Sequence, residues 1–196
     1  MLSQLRPAIV STIFFTLLLG VGYPLAITGI ARLAMPARAE GSLIRGAAGE
    51  VVGSSLIAQA FVQARYLHPR PSAAGKGYEA NNSGGSNYGP LNSHLAKRIK
   101  ADAEALRAST GRSLVPADAV TTSASGLDPD ISPAYALMQA PRIAAARGAD
   151  PARVKAFIAN RIEPPFLGFI GQPRVNVLTT NLALDGAFAR VHPPAS

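Results

Sequence analysis

The sequence predicts an α/β (mixed α+β) domain carried on one N-terminal transmembrane helix. Three observations predict it. The 25 residues between Arg6 and Arg32 contain no charge. Downstream, apolar patterns of helical period are interspersed with short β-type pieces. Between them lie long stretches rich in Gly, Asn, Ser and Pro, which break regular structure. With 48% hydrophobic and 15% charged residues among 196, the chain is too apolar to be disordered. It has no Cys, which excludes disulfides, thiolate metal sites and a cysteine nucleophile.

The uncharged run, residues 7–31, reads PAIVSTIFFTLLLGVGYPLAITGIA. As a helix it spans roughly 37 Å, enough to cross a ~30 Å hydrocarbon core with some tilt. Its polar residues are few and scattered, and Gly20, Gly22 and Pro24 are tolerated in membrane helices. A cleaved secretory signal is the alternative, with Ala37-Arg38-Ala39 as the small-x-small site. The run far exceeds the roughly 7–15 residues of a signal core, so a retained anchor is expected. Residues 1–6 are then a cytoplasmic tail and residues 32–196 the folded domain. Arg32, Arg38 and Arg45 after the helix outnumber Arg6 before it, which by the positive-inside rule leans towards a cytoplasmic domain. Val21-Gly22-Tyr23 resembles part of a potassium filter, but one span cannot supply the four loops of such a ring.

Leu43-Ile44 and Val51-Val52 read as short strands between Gly turns. From Ser54 to about Tyr66, Leu56, Ile57, Ala60, Phe61 and Ala64 share one face of a helix. Residues 68–92 are a long polar loop. Ser93–Thr110 is a helix, with Leu95, Ile99, Ala103 and Leu106 in period and Gly111 as its stop. Residues 112–132 are a second loop. Ser132-Pro133 starts a helix that runs to Arg147 and Gly148, and Pro141 predicts a kink in it. Asp150-Pro151 starts another, through about Ile162. Residues 175–184 read as strand-like.

Phosphate-loop, dinucleotide-fingerprint and nucleophile-elbow motifs are all missing from the sequence. His68, His94 and His192 lack metal-ligand spacing and read as surface or structural residues. Asp128 and Asp130 flank Pro129; they are a possible carboxylate pair, and more simply turn residues that accept backbone N–H groups. Asn81-Asn82-Ser83 matches the glycosylation sequon, with nothing else to support it. The surplus of 19 Lys+Arg over 11 Asp+Glu is scattered singly, with no basic cluster among aromatics, so nucleic acid is not an expected partner. The loop Gly84-Gly85-Ser86-Asn87 could offer backbone N–H groups to a ligand or be a surface turn. Near the Pro141 kink, the Gln139 amide could bind a ligand or cap freed carbonyls. Arg142 and Arg147 could pair there with phosphate or with nearby acids.

These motifs, in order, are Gly22-Tyr23-Pro24, Gly41-Ser42-Leu43-Ile44, Gly53-Ser54 with Leu56-Ile57, Gln59 and Phe61, and Arg70-Pro71-Ser72. Gly84-Gly85-Ser86-Asn87, Ala124-Ser125-Gly126-Leu127-Asp128, Ile131-Ser132-Pro133 and Gln139-Ala140-Pro141-Arg142-Ile143-Ala144 follow. GQPRVNVLTTNLALD closes the series, from Gly171 to Asp185. Over nearly the whole chain the set resembles the C-subunit family (KdpC) of bacterial Kdp potassium-transporting P-type ATPase complexes. The resemblance implies a single-pass inner-membrane subunit, its bulk periplasmic, with membrane lipid and the A, B and F subunits (KdpA, KdpB, KdpF) as partners. It implies a subunit with no catalytic site of its own. The family is described as a catalytic chaperone that raises the B subunit's apparent affinity for ATP, with the glutamine at Gln139 proposed to contact the nucleotide. A periplasmic domain conflicts with ATP contact, and the missing phosphate loop favours a structural role. Gly84, Gly85, Ser86, Asn87, Asp128 and Arg142 are the candidate partner-contact residues; no metal site is expected. Asp130 stands where many relatives have His, and Tyr88 and Leu91-Asn92-Ser93 also depart from the common pattern. The alternative function is a membrane-anchored or secreted periplasmic hydrolase or binding protein using Asp128, Asp130 and the Gly84–Asn87 loop.

Overall fold

A computed structural model describes residues 2–46 and 48–188; His192 lies outside them. The chain forms two compact units, Met1–Ser54 and Ser55–Ser196.

In the first unit, α1 (Leu5–Leu17) continues through a π-helical turn, Leu18–Gly22, into α2 (Tyr23–Ala34). The wide turn closes with the Tyr23 N–H on the Leu18 carbonyl, five residues back. It lies just before Pro24, whose missing N–H and bulky ring already interrupt the regular ladder. None of the Leu5–Ala34 helix is buried by protein. Phe14, Phe15, Leu17, Leu25 and Ile30 are all exposed. A core helix of this hydropathy would be covered, so hydrocarbon is the solvent that fits it. After a short helix, α3 (Pro36–Ala39), come the two expected strands, β1 (Leu43–Arg45) and β2 (Val51–Ser54). They pair antiparallel, Leu43 opposite Ser54, and the Ser54 hydroxyl donates to the Gly41 carbonyl at 2.7 Å.

The second unit is built on helices. α4 (Ser93–Thr110) begins where the Asn92 side chain accepts from the His94 and Leu95 N–H groups, and ends at Gly111 in the left-handed region. The expected kinked helix is broken in two: α5 (Pro133–Met138), capped by Ser132, and α6 (Ala140–Arg147), with Gln139 at the break. α7 (Pro151–Ala159) starts on the Asp150 cap and stops three residues short of Ile162. β3 (Asp130–Ile131) and β4 (Val175–Asn176) form a two-residue antiparallel pair. Leu67, Ile143, Val154, Ile158, Val175 and Leu184 are fully buried. Ala103, Ala119, Ala136, Ala140 and Ala144 fill the same core, and their small side chains let the helices approach closely.

Two expectations are corrected. Residues 175–184 are not a strand: after β4 the chain becomes α8 (Val177–Ala187), because Asn176 caps it by accepting from the Thr179 N–H at 3.1 Å. Residues 54–66 are not a helix: Ser54 ends β2, and from Ser55 to Asn92 the chain is turns and irregular backbone. Its polar groups are met from elsewhere. The Asn181 side chain pairs with both backbone groups of Leu67, accepting from the N–H at 2.7 Å and donating to the carbonyl at 2.9 Å. The Ala58 N–H donates to the Leu127 carbonyl, and the Asn176 amide to the Ser55 carbonyl. Of the apolar face read as helical only Phe61 packs on the core; Leu56, Ile57, Ala60 and Ala64 are exposed, and Leu67, outside that face, is the residue buried.

Asn181→Ala should strand a buried donor and a buried acceptor of Leu67. A loss of ~3 kcal/mol is expected on that basis, measured by denaturant unfolding of the full chain in detergent.

Candidate functional site

Gln139 and Arg142 come together around residues 63–68. Gln139, 5% exposed, copies a strand partner: its Oε1 accepts from the His68 N–H at 2.8 Å and its Nε2 donates to the His68 carbonyl at 3.1 Å. The Arg142 guanidinium donates to the Ala64 carbonyl at 2.5 Å, the Tyr66 carbonyl at 3.0 Å and Gln139 Oε1 at 2.6 Å. The break between α5 and α6 aims both side chains at this segment, since Pro141 cannot continue the helix before it. Arg142 also lies 3.2 Å from His68 Nε2. Burial first, then the Arg142 charge, lowers the His68 pKa, against a contact of the same Nε2 with the Gln63 carbonyl oxygen at 3.2 Å. Burial likewise lowers the pKa of Arg142, but a guanidinium keeps its proton in proteins.

Arg147 extends the arrangement. Its side chain, 4% exposed, donates to the Arg65 carbonyl and, near the end of α8, to the Leu184 carbonyl, and pairs with Asp185 at 2.8 Å. The Tyr66 hydroxyl donates to the same carboxylate at 2.8 Å, and its pKa is raised, mainly by burial and then by Asp185.

The same stretch of chain continues into the second group of candidates. Arg70 pairs with Asp128 at 2.9 Å and donates to the Thr122 carbonyl. The Ser72 hydroxyl donates to the Gly126 carbonyl at 2.6 Å. The Gly84–Asn87 loop lies on residues 122–126: Gly84 N–H donates to the Ser125 carbonyl, and the Ser86 and Thr122 hydroxyls are 3.2 Å apart. A Cβ on Gly85 would sit 2.9 Å from the Ala124 carbonyl oxygen, so this approach requires glycine. The Gly84 N–H therefore faces protein; it is not free for an anion.

Asp128 also accepts from the Asp130 N–H at 3.1 Å, the turn role expected of it. Asp130 is held by Asn176 at 2.9 Å and by Arg174 at 3.1 Å. Its pKa is raised, chiefly by burial, against the pull of Asn176 and Arg174. With Arg70, Asp118, Gln172 and Arg174, these two acids line an open cleft of about 450 Å³. Among the described residues no group of three His, Asp or Glu is placed to hold a metal ion. The arrangement can therefore order a long irregular segment and present a mixed-charge surface.

Reading the sequence missed Asn181, Asn176 and Arg70 as anchors. A signal existed for Asn181, a polar residue four after Val177 and three before Leu184. It stands out only once α8 is read as a helix.

The model for the family described as "KdpC: K+-transporting ATPase, c chain" matches residues 5–186. A potassium-transporting ATPase KdpC subunit from a Caulobacter species is 64% identical over 188 residues, covering 96% of each chain. The subunit of the same name from Caulobacter vibrioides is 61% identical over 196 residues, covering 100% of this chain and 98% of its own. That from Beijerinckia indica is 55% identical over 196 residues. The fold is thus that of a membrane-anchored α/β subunit, and the chain belongs to the KdpC family. Family membership makes it a single-pass inner-membrane protein with its bulk outside the cytoplasm. That corrects the lean given by Arg32, Arg38 and Arg45; long domains cross the membrane largely regardless of flanking charge.

Gly126→Ala should destabilise more than Gly111→Ala. Both glycines have φ near 67°, but a Cβ at Gly126 would lie 2.6 Å from the Gly84 carbonyl oxygen and one at Gly111 would meet nothing within 4 Å. Thermal unfolding of the two variants checks this, with an excess of about 1–3 kcal/mol expected at Gly126.

Proposed function

We propose that this chain is the accessory, non-catalytic subunit of an ATP-driven potassium uptake complex, needed for its assembly and stability. The observation that carries the reading is the 64% identity, over 96% of both chains, to a relative named as a potassium-transporting ATPase KdpC subunit. The partners are then the A, B and F subunits, with the helix Leu5–Ala34 held in the lipid beside them. The Ser55–Ser196 unit acts as a rigid docking body. Its loops 84–87 and 122–128 are fastened to one another, so little ordering entropy remains to be lost on contact with a partner. ATP serves the complex through the B subunit.

Gln139 acts in this reading by holding residues 64–68 in place. Both ends of its amide are engaged by protein, and a nucleotide would have to displace His68 or Arg142 to reach it.

Deleting the chain while co-expressing the other three subunits should abolish a stable, potassium-stimulated ATPase complex; unchanged transport would sink the proposal. Gln139→Ala should lower the unfolding temperature of the chain and the yield of complex, while the complex that forms keeps its apparent affinity for ATP. Weakened affinity with undiminished assembly would instead assign Gln139 to the nucleotide.

A further inference from the structure

The chain between Glu163 and Arg174 makes an apolar tip that the fold does not use. Phe166, Leu167, Phe169 and Ile170 are 70, 69, 76 and 51% exposed. None of them belongs to the core. Four large apolar side chains within five residues is a concentrated patch, unlike singly scattered surface hydrophobics.

The N–H groups of Phe166, Gly168, Phe169 and Ile170 are bonded within the tip. Phe166 and Ile170 exchange N–H to carbonyl bonds, each 2.9 Å. The Gly168 N–H donates to the Pro165 carbonyl at 2.9 Å and that of Phe169 to the Phe166 carbonyl at 3.3 Å. Pro164 and Pro165 have no N–H. Entry into lipid demands this pairing, because an unpaired backbone group has no water to turn to there. A loop built to add to a partner's sheet would hold its backbone groups open.

Leu167 adds a conformational argument. Its φ is 53°, in the left-handed region that bulky residues avoid and Asn tolerates. A polar residue would fit this turn more easily, yet an apolar one occupies it. The charge beside the tip has the sign for anionic headgroups: Arg161, two residues before Glu163, is exposed, and Glu163 is neutralised by Arg174 at 2.9 Å. The Leu5–Ala34 helix keeps the chain at a bilayer, so lipid is present at high effective concentration.

We infer that the Phe166–Ile170 tip is a second membrane contact, seated in the interfacial layer of an anionic bilayer. The side chains of Phe166, Leu167, Phe169 and Ile170 enter the headgroup–acyl boundary while Arg161 meets the lipid phosphates.

The chain has no Trp, so Phe169→Trp supplies a single reporter at a largely exposed site. The full chain carrying it is reconstituted in phosphatidylethanolamine–phosphatidylglycerol vesicles, with and without lipids brominated near the headgroup. Blue-shifted emission and at least about twofold quenching by the brominated lipid are expected for a side chain at that depth. Leu114→Trp, at a site 85% exposed on the same unit, should show neither. Adding Leu167→Asn to the Phe169→Trp chain should leave the circular dichroism unchanged and reduce the quenching. Absent quenching overturns the inference, as does equal quenching of the two reporters. So does a Phe169→Trp reporter that becomes protected only when the A, B and F subunits are added, which would assign the tip to a groove on a protein.

Discussion

The second unit depends on how the backbone of residues 55–78 is satisfied. That stretch enters the core at Leu67 yet belongs to no helix or sheet, so its polar groups cannot be met by a ladder. Side chains substitute for one. Asn181 takes both groups of Leu67, Gln139 takes both groups of His68, and Arg142 and Arg147 take the carbonyls of residues 64–66. Arg70 and Ser72 then tie the same segment to residues 122–128. Such a network is high in consequence where it is buried, because removing Asn181 leaves both backbone groups of Leu67 unpaired in a low-dielectric interior.

This constraint explains other features. α5 and α6 are separate helices because the break at Gln139 and Pro141 is what aims Gln139 and Arg142 at the segment. α8 must be a helix for Asn181 to share a buried face with Val177 and Leu184. The family's dispersed motifs converge for the same reason: Arg70-Pro71-Ser72, Gly84–Asn87, Ala124–Asp128 and Gln139–Arg142 hold one another in position. The first unit obeys a different rule. Its helix is apolar all round and covered by no protein, so the bilayer decides its structure.

Much of this was legible in the sequence, wherever the deciding signal was local. The uncharged run announced the membrane helix. Ser132-Pro133 and Asp150-Pro151 announced helix starts, Gly111 and Gly148 announced stops, and Pro141 announced the break. The failures came where distant residues decide. Leu56, Ile57, Ala60, Phe61 and Ala64 have helical spacing, but residues 54–66 are claimed by β2 and by side chains more than seventy positions away. Residues 175–184 are rich in β-branched and apolar types, and the Asn176 cap outweighed that propensity. Of the candidate residues, Gln139 and Arg142 were visible through the kink. Their shared target, the backbone of residues 64–68, was not, since no local pattern marks it.

Hydrogen exchange of the full chain in detergent micelles tests this account most directly. Leu67 and His68 have no secondary-structure partner, and by sequence they stand in an irregular segment. If Asn181 and Gln139 hold them as described, their amides exchange as slowly as that of Ile143 in the buried helix α6. Exchange at the rate of the exposed loop around Leu91 would contradict the claim that side chains close this backbone.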